Sequence, residues 1–336
     1  MTPRERFARL LNFQDVDRLP AIEWAPWWDQ TIARWHGEGL PADLTDTVAI
    51  QEHFGLDPVG QVWVSHIGPG APQPASHGAG ILADEAAYET ALPHLYPLPG
   101  VDLDRLARLA DRQRRGELIV WLTLDGFFWF PRRLLGIQRH LLAFYDQPDL
   151  MARINADLLD NHHRVLDAVL AVCTPDFMTF AEDMSYNHGP MISRNLFETF
   201  EAPYYSRIIP RLRDAGIRVL IDSDGDVTDL IDWFVELGAE GFLPLERMAG
   251  VDVGELRRRW PDLLMIGAYD KTVMHRGEAA VRAEFDRLMP VMAGGGFVPS
   301  VDHQTPPGVS LAQYRQYVAI FQEYCRRAAD ARPASP

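Results

Sequence analysis

Residues 218–225 have the sequence RVLIDSDG, and the prediction of the fold starts from them. An apolar run from Val219 to Ile221 ends abruptly at Asp222, Asp224 and Gly225. A continuous apolar run is typical of a strand buried on both faces, and the glycine after it predicts a turn. In a parallel α/β barrel, the carboxyl ends of the strands form the catalytic face. We therefore expect both aspartates to face a site.

Seven other short apolar segments alternate with helical patterns along the chain. They are residues 19–24, 59–67, 117–124, 177–181, 241–246, 263–270 and 296–303. Eight buried strands that alternate with helices predict a single (β/α)₈ TIM barrel, either regular or distorted, in an α/β protein. No repeat or linker divides the chain, so we predict one barrel domain over residues 1–327.

Three segments lie outside the regular alternation. Thr2 and Glu5 form a capping-box pattern with a proline between them, which predicts an amino-terminal helix. The glycine- and proline-rich residues after position 67 predict a hairpin or loop insertion near 68–92. Residues 328–336 are expected to be a disordered tail.

Composition and charge exclude several classes of protein. The chain has 336 residues and a formal net charge of −15, which disfavours nucleic acid and anionic membranes as partners. The two cysteines, Cys173 and Cys325, are far apart and predict neither a disulfide framework nor a thiolate metal cluster. No apolar stretch approaches the ~18 residues of a membrane span, and no signal peptide pattern follows Met1. We expect a cytoplasmic protein.

Polar residues, most of them acidic, follow the predicted strands. They are Glu23, His66, Asp125, Glu182, Asp183, Asp222, Asp224, Glu246, Asp270, Asp302 and His303. In a barrel these residues converge on one mouth, where the carboxylates would raise one another's pKa unless a cation or a proton intervenes. One solution is a divalent metal held by Asp222, Asp224 and His303. The alternative is that the aspartates cap the next helix and bind loop amides.

Several side chains near the same mouth are candidates for catalysis or substrate binding. Asp222, Asp224 and His303 are candidates for binding a metal or transferring a proton, and Glu182 is a candidate acid or base beside the two aspartates. Aromatic residues follow two predicted strands, and they favour a flat or apolar ligand, although they could simply cover the barrel rim. The candidate substrate-binding residues are Trp24, Trp27, His66, Phe128 and Tyr186.

Four segments of the chain resemble the uroporphyrinogen decarboxylase superfamily, which also contains methylcobamide:coenzyme M methyltransferases. They are TPRERFARLLNFQDVDRLP (2–20), EDMSYNHGPMISRNLFETF (182–200), IDSDGDV (221–227) and VDHQTPP (301–307). The resemblance extends over residues 2–325, and GPMIS after the acidic pair is its most specific part. It implies a (β/α)₈ barrel and a homodimer.

The chain departs from the pattern of true uroporphyrinogen decarboxylases. Their segment after the first strand is rich in arginine, whereas residues 21–30 here are AIEWAPWWDQ. Binding several carboxylates without such cations would be costly. The aspartate expected at the end of the second strand aligns with His66, and the histidine after the last strand matches His303. Decarboxylation of a porphyrinogen is therefore disfavoured.

The methyltransferase branch holds zinc through a His-x-Cys-Gly turn and a later cysteine. The resemblance aligns that turn with residues 222–225 and the later cysteine with His303. Carboxylate and imidazole have replaced thiolate, which favours a harder metal, a weaker zinc site or none.

Three hypotheses follow. The first is methyl transfer or O-demethylation of a small apolar or aromatic donor, linked to a corrinoid on a partner protein. The second is a lyase that decarboxylates an acid without a metal. The third is a non-catalytic barrel that binds a ligand.

Overall fold

The computed structural model describes residues 1–76 and 78–332, and the chain has an α/β fold. The strands are β1 (Val59–Trp63), β2 (Ile119–Asp125), β3 (Phe177–Ala181), β4 (Ser185–Tyr186), β5 (Gly189–Pro190), β6 (Arg218–Asp222), β7 (Gly241–Leu243), β8 (Leu264–Tyr269) and β9 (Phe297–Val301). The helices in the first half of the chain are α1 (Pro3–Leu11), α2 (Asp29–Gly37), α3 (Thr47–His53), α4 (Glu85–Ala91), α5 (Leu103–Arg114), α6 (Trp129–Leu135) and α7 (Ile137–Asp146).

The second half contains α8 (Pro148–Leu170), α9 (Arg194–Phe200), α10 (Ala202–Asp214), α11 (Leu230–Val235), α12 (Val253–Arg259), α13 (Glu278–Met292) and α14 (Leu311–Asp330). Three 3₁₀ helices cover Leu92–His94, Arg247–Ala249 and Lys271–Arg276. None of the described helices is both long and apolar enough to cross a membrane.

Seven strands form one curled parallel sheet in the order β1-β2-β3-β6-β7-β8-β9. Each of these strands coincides with one of the predicted buried segments, and helices connect them. All their pairings are parallel, so the seven carboxyl ends lie at the same edge of the sheet. The sheet is compatible with a TIM-like barrel, as the alternation of strands and helices predicts.

The eighth predicted strand, residues 19–24, forms no strand ladder within the described part of the chain. The segment makes isolated hydrogen bonds to the residues just before β1 and to β9. Asp57 N donates to Ala21 O at 2.9 Å, and Trp24 N donates to the Ser300 hydroxyl at 3.2 Å. The eight-stranded barrel is therefore replaced by a seven-stranded sheet with a loosely attached eighth segment.

Side chains explain why this segment does not pair with β1. Gln51 Oε1 accepts the Val59 N–H at 2.9 Å, and Arg105 Nη1 donates to Gln61 O at 2.7 Å. These two contacts satisfy backbone groups that a neighbouring strand would otherwise use. The edge of β1 is thus covered without a ladder, which an apolar pattern alone does not reveal.

The flanking segments partly match their predictions. The Thr2 hydroxyl accepts the Glu5 N–H at the start of α1, which confirms the amino-terminal helix. Within residues 68–92, His77 lies outside the described residues. The described residues of this segment form no strand apart from an isolated bridge at Ala79, and the segment ends in α4 and a 3₁₀ turn. Helix α14 continues to Asp330, three residues into the predicted tail, and residues 333–336 also lie outside the described part.

Candidate active site

Strained backbone marks the carboxyl edge of the sheet. Three residues there have positive φ without being glycine: Asp183 after β3 (φ 39°), Leu245 after β7 (φ 62°) and Ala268 in β8 (φ 68°). A residue with a Cβ pays roughly 1 kcal/mol or more for this conformation, which occurs mainly where surrounding structure enforces it, often at functional sites. The strain therefore identifies this edge as a candidate active site.

The turn after β6 needs its glycine. Gly225 has φ 84°, and a Cβ there would lie 2.8 Å from Tyr186 O. Two carboxylates hold the turn from neighbouring strand ends. Glu246 Oε2 accepts the Gly225 N–H at 2.9 Å, and Asp183 Oδ1 accepts the Asp224 N–H at 3.3 Å. The predicted sharp turn is confirmed, and it presents Asp224 to the mouth of the sheet.

Asp224 and His303 come together at this mouth. His303 Nε2 lies 3.8 Å from Asp224 Oδ2, and the two side chains are 32% and 41% exposed. Partial burial, with the charges of Asp183 and Glu246, raises the pKa of Asp224 to about 7. Burial and the charge of Lys271 lower the pKa of His303. The pair is therefore open to a ligand, with the pKa of Asp224 raised toward neutral pH.

Two further carboxyls flank this pair. Burial and the charges of Asp183 and Asp224 raise the pKa of Asp222 well above its usual range. Asp302 is fully buried, and its oxygens accept the backbone N–H groups of Lys271 and Arg247 at 3.2 Å each. Burial raises the pKa of Asp302 to about 6 although the Lys271 charge opposes the shift.

These groups form one unit, which we call the mouth cluster. Its members are Asp183, Asp222, Asp224, Glu246, Lys271, Asp302 and His303. They come from the ends of five neighbouring strands, β3 and β6 to β9. The cluster contains all three residues predicted as a metal site and three further predicted strand-end acids.

The fit of a metal was tested on the side chains present. Across residues 1–76 and 78–332, no three histidine, cysteine, aspartate or glutamate side chains form a group that could hold a metal ion. Asp222, Asp224 and His303 are neighbours, but they do not supply a converging donor set. The zinc or harder metal expected there remains a prediction.

Lys271 was missed by the sequence analysis. It is the one lysine in a chain whose lysine and arginine residues together number 32. It follows the predicted strand-end residue Asp270, and its Nζ lies 3.5 Å from Asp302 Oδ1. Its being the one lysine of the chain, directly after a predicted strand end, could have identified it.

Glu182 lies away from the mouth, under the loop that follows β2. Its carboxylate accepts the N–H groups of Phe127, Phe128 and Trp129, each at 3.0 Å, and it is fully buried. A Cβ at position 126 would lie 2.0 Å from the carboxyl carbon, so Gly126 makes room for it. The structure places Glu182 as a cap on the amino end of α6.

Burial also separates other predicted residues from the mouth. His66 is fully buried, with Nδ1 at 2.8 Å from Asn161 Oδ1 and its ring 4.8 Å from that of His162. Phe128 is fully buried, with its ring 4.5 Å from that of His140. Five polar residues, His66, Asp125, His162, Glu182 and Glu201, are fully buried, and we call them the inner cluster.

The predicted aromatic binding residues differ in exposure. Trp27 is 6% exposed and packs in a group of aromatic rings with Trp35. Tyr186 is 50% exposed beside the turn after β6. Trp24 donates its ring N–H to Val301 O at 2.5 Å, immediately before Asp302 in the chain. Of the three, Trp24 and Tyr186 lie next to segments that form the mouth.

Trp24 also lines a cavity of about 320 Å³ where the extended segment meets β1. Trp63 and Trp121 form two other walls of this cavity. Two cavities of about 630 Å³ each lie at the opposite end of the sheet, against α1, and share Arg218 at the start of β6. No member of the mouth cluster lines any of these three cavities, but Trp24 connects the tryptophan-lined cavity to the carboxyl end of β9, which makes it the better candidate for a substrate.

The fold and the mouth cluster define an α/β enzyme of the parallel-sheet class, with an acid–base site at the carboxyl ends of its strands. The family model of uroporphyrinogen decarboxylase (URO-D) matches residues 134–324. The chain belongs to this family, as its sequence motifs predict. The matched region includes β3, β6 to β9 and the whole mouth cluster.

Solved structures similar to this one include methyltransferases. A methyltransferase from Methanosarcina mazei has a TM-score of 0.65 and 14% identity over 96% of this chain and 99% of its own. A putative vitamin-B12-independent methionine synthase from Listeria monocytogenes has a TM-score of 0.49 and 11% identity, over 94% of this chain and 98% of its own. The first likeness shows the fold alone. No curated protein matches the sequence.

Proposed function

We propose that the protein transfers a methyl group from a small apolar or aromatic donor to a corrinoid carried by a partner protein. The observation that carries this proposal is the Asp224–His303 pair, 3.8 Å apart and open to solvent at the carboxyl edge of the sheet. The Methanosarcina methyltransferase of the same fold supports methyl transfer as the reaction class. The corrinoid, its carrier, a homodimer and a cytoplasmic location remain parts of this proposal.

The acid–base pair supplies what such a reaction needs. When a methyl–oxygen bond breaks, its electron pair stays on the oxygen of the donor, and the methyl group goes to the nucleophile of the acceptor. The oxygen leaves readily only if it receives a proton. Asp224, with a pKa of about 7, is partly protonated at neutral pH and gives that proton. His303 then returns a proton from solvent to Asp224.

The aromatic cavity offers a place for the donor. Trp24, Trp63 and Trp121 present flat apolar surfaces, and aromatic ligands pack well against such rings. Trp24 is tied by its ring nitrogen to the residue that precedes Asp302. One wall of the cavity therefore contacts the end of β9, the strand that carries Asp302 and His303.

Decarboxylation is the second candidate, favoured by the description of the matched family. Loss of carbon dioxide leaves a carbanion that must be protonated, and Asp224 can supply that proton. The two reactions give different products, methylated acceptor or carbon dioxide. Carbon dioxide release that chelators do not inhibit would favour the lyase.

The test compares variants of the pair with a matched control. Methoxylated aromatic compounds, a reduced corrinoid carrier and the protein are incubated, and loss of the methyl donor is measured. Asp224→Asn and His303→Gln should each abolish turnover, whereas Asp229→Asn, which changes an exposed aspartate, should not. If no donor in such a set is consumed, the proposal fails. Ligand binding without turnover would then favour the non-catalytic barrel.

A further inference from the structure

A single lysine in an arginine-rich chain points to a specific role. Lysine and arginine together number 32, and all of them except Lys271 are arginine. Lys271 begins the 3₁₀ helix that follows β8, at the edge of the mouth cluster. An ammonium group is a compact charge with three rotatable donors, whereas guanidinium is a planar fork. The site therefore contains the one cation of the chain that can point a small charge at a ligand.

The ammonium group has unused hydrogen-bonding capacity. Nζ lies 3.5 Å from Asp302 Oδ1, which is longer than an ordinary N–H···O hydrogen bond of about 2.7–3.2 Å. Within residues 1–76 and 78–332, Nζ donates no hydrogen bond at all, and the Lys271 side chain is 17% exposed. The carboxylate of Asp302 is already occupied by two backbone N–H groups. A largely buried cation with free donors is unfavourable unless a ligand completes its environment.

The neighbouring acids do not complete that environment. The acids around the mouth are Asp183, Asp222, Asp224, Glu246, Asp270 and Asp302. Within the described residues, Asp302 is the only acid with an oxygen within 4.0 Å of Nζ, at 3.5 Å. At that distance Asp302 accepts no hydrogen bond from Nζ, and its oxygens already accept two backbone N–H groups. Lys271 therefore stays available to an incoming anion.

We propose that Lys271 binds a carboxylate group of the substrate and thereby selects acidic methyl donors over neutral or cationic ones. This inference rests on the proposed function, because it names the substrate class of the same site. The carboxylate occupies the free donors of Nζ, and the methyl-bearing oxygen lies toward Asp224 and His303. A cationic donor would meet a like charge at the same point.

Binding of matched probes tests the proposal without any turnover. Calorimetry on the full chain compares 4-methoxybenzoate with methoxybenzene, which lacks only the carboxylate. We expect 4-methoxybenzoate to bind at least tenfold more tightly. Lys271→Met should weaken it about ten- to a hundredfold, the effect of losing one charged hydrogen bond, and leave methoxybenzene unchanged. Lys271→Arg should retain part of the preference, because it keeps the charge.

A cation on the same 3₁₀ helix provides the matched control. Arg276 is exposed at the end of that helix, so Arg276→Met should leave both affinities unchanged. Equal affinity for the two probes would overturn the proposal. So would the absence of saturable carboxylate binding, or equal losses in the Lys271→Met and Arg276→Met variants.

The single lysine also allows a direct spectroscopic readout. Reductive methylation with ¹³C-formaldehyde labels the Lys271 amine and the amino terminus, which is paired with Asp17. The Lys271→Arg variant assigns the two ¹³C signals. On titration with 4-methoxybenzoate, the Lys271 signal should shift saturably while the amino-terminal signal stays fixed. Equal shifts of both signals, or none, would contradict the proposal.

Failure of this inference and failure of the proposed function are distinguishable. Lys271-dependent binding of the carboxylate without methyl transfer supports the inference and removes the proposed function. Equal turnover of methoxybenzene and 4-methoxybenzoate, unaffected by Lys271→Met, retains the methyltransferase and overturns the inference.

Discussion

The mouth cluster and the inner cluster contain similar residues but lie in opposite environments. Both include acids and histidines that follow strands of the same sheet. Asp224 and His303 in the mouth cluster are 41% and 32% exposed, whereas every member of the inner cluster is fully buried. A position after a strand therefore predicts that side chains converge at one edge, but not that a ligand can reach them.

The loop after β2 makes the difference. Residues 126–135 cover the ends of β2 and β3, and three of their N–H groups point at Glu182. Asp125 is also paired with Arg133, a residue of α6 in the same segment. At the ends of β6 and β9, the described chain places no comparable set of donors over Asp224 or His303. The loop therefore shields the inner cluster from a ligand, whereas Asp224 and His303 in the mouth cluster stay accessible.

The largest effect is expected for the proton donor. Asp224→Asn keeps the shape of the side chain but cannot supply a proton, so turnover should fall by about 10²–10⁴-fold. Its free energy of unfolding at pH 5 should change by less than about 1 kcal/mol, because at that pH the carboxyl, with a pKa of about 7, is mostly neutral, like the amide that replaces it. Donor consumption and urea unfolding measure the two quantities. Turnover within threefold of the unchanged protein would assign the turn a purely structural role.

The next effect separates the two clusters. Glu182→Gln replaces a carboxylate that accepts three N–H groups with an amide whose oxygen accepts fewer of them. We expect a loss of about 1–3 kcal/mol, because a buried N–H group that loses its acceptor is costly. Urea midpoints measure it.

Glu198 provides the control for this substitution. Glu198→Gln alters an exposed glutamate on α9 and should cost less than about 0.5 kcal/mol. If Glu182→Gln abolishes turnover while stability is unchanged, Glu182 acts in catalysis, as the sequence predicts. That result would also remove the division between the two clusters.

A third effect lies in the pH dependence of stability. The pKa of Asp224 is about 7 in the folded protein and 3.8 in the unfolded chain. Between these pH values the folded protein therefore binds a proton that the unfolded chain has lost. The stability contributed by this group therefore falls as pH rises from about 4 to about 7. After a discount for its exposure, Asp224→Asn should stabilise the protein by about 1–2 kcal/mol more at pH 8 than at pH 5. Urea unfolding at both pH values measures the difference, and an equal effect at both would refute the raised pKa.

The sequence predicted the sheet better than the site. A strand that is buried on both faces has a continuous apolar run, such as the one before Asp222, and the local sequence shows that run directly. Residues 19–24 carry the same pattern, but Gln51 of α3 and Arg105 of α5 satisfy the edge of β1. Local sequence does not contain that competition.

The same reasoning explains the site. Asp222, Asp224 and His303 come together because parallel strands end at one edge, which topology alone predicts. The burial of Glu182 and Phe128 depends on how the loop after β2 folds back, which is a tertiary contact. The pattern of strand-end acids does not point to Lys271. The signal that could have identified it is that it is the one lysine of the chain.

The smallest effect tests the edge of the mouth. Tyr186 is 50% exposed, and within the described residues its hydroxyl makes no hydrogen bond, so Tyr186→Phe should change stability by less than about 0.5 kcal/mol. If the hydroxyl touches the substrate, as predicted, KM should rise about three- to tenfold with kcat unchanged, the loss expected for one neutral hydrogen bond. Steady-state kinetics separate these quantities. A fall in kcat comparable with that of Asp224→Asn would instead mean that the proton path includes Tyr186, and the mouth cluster would extend to the β4–β5 turn.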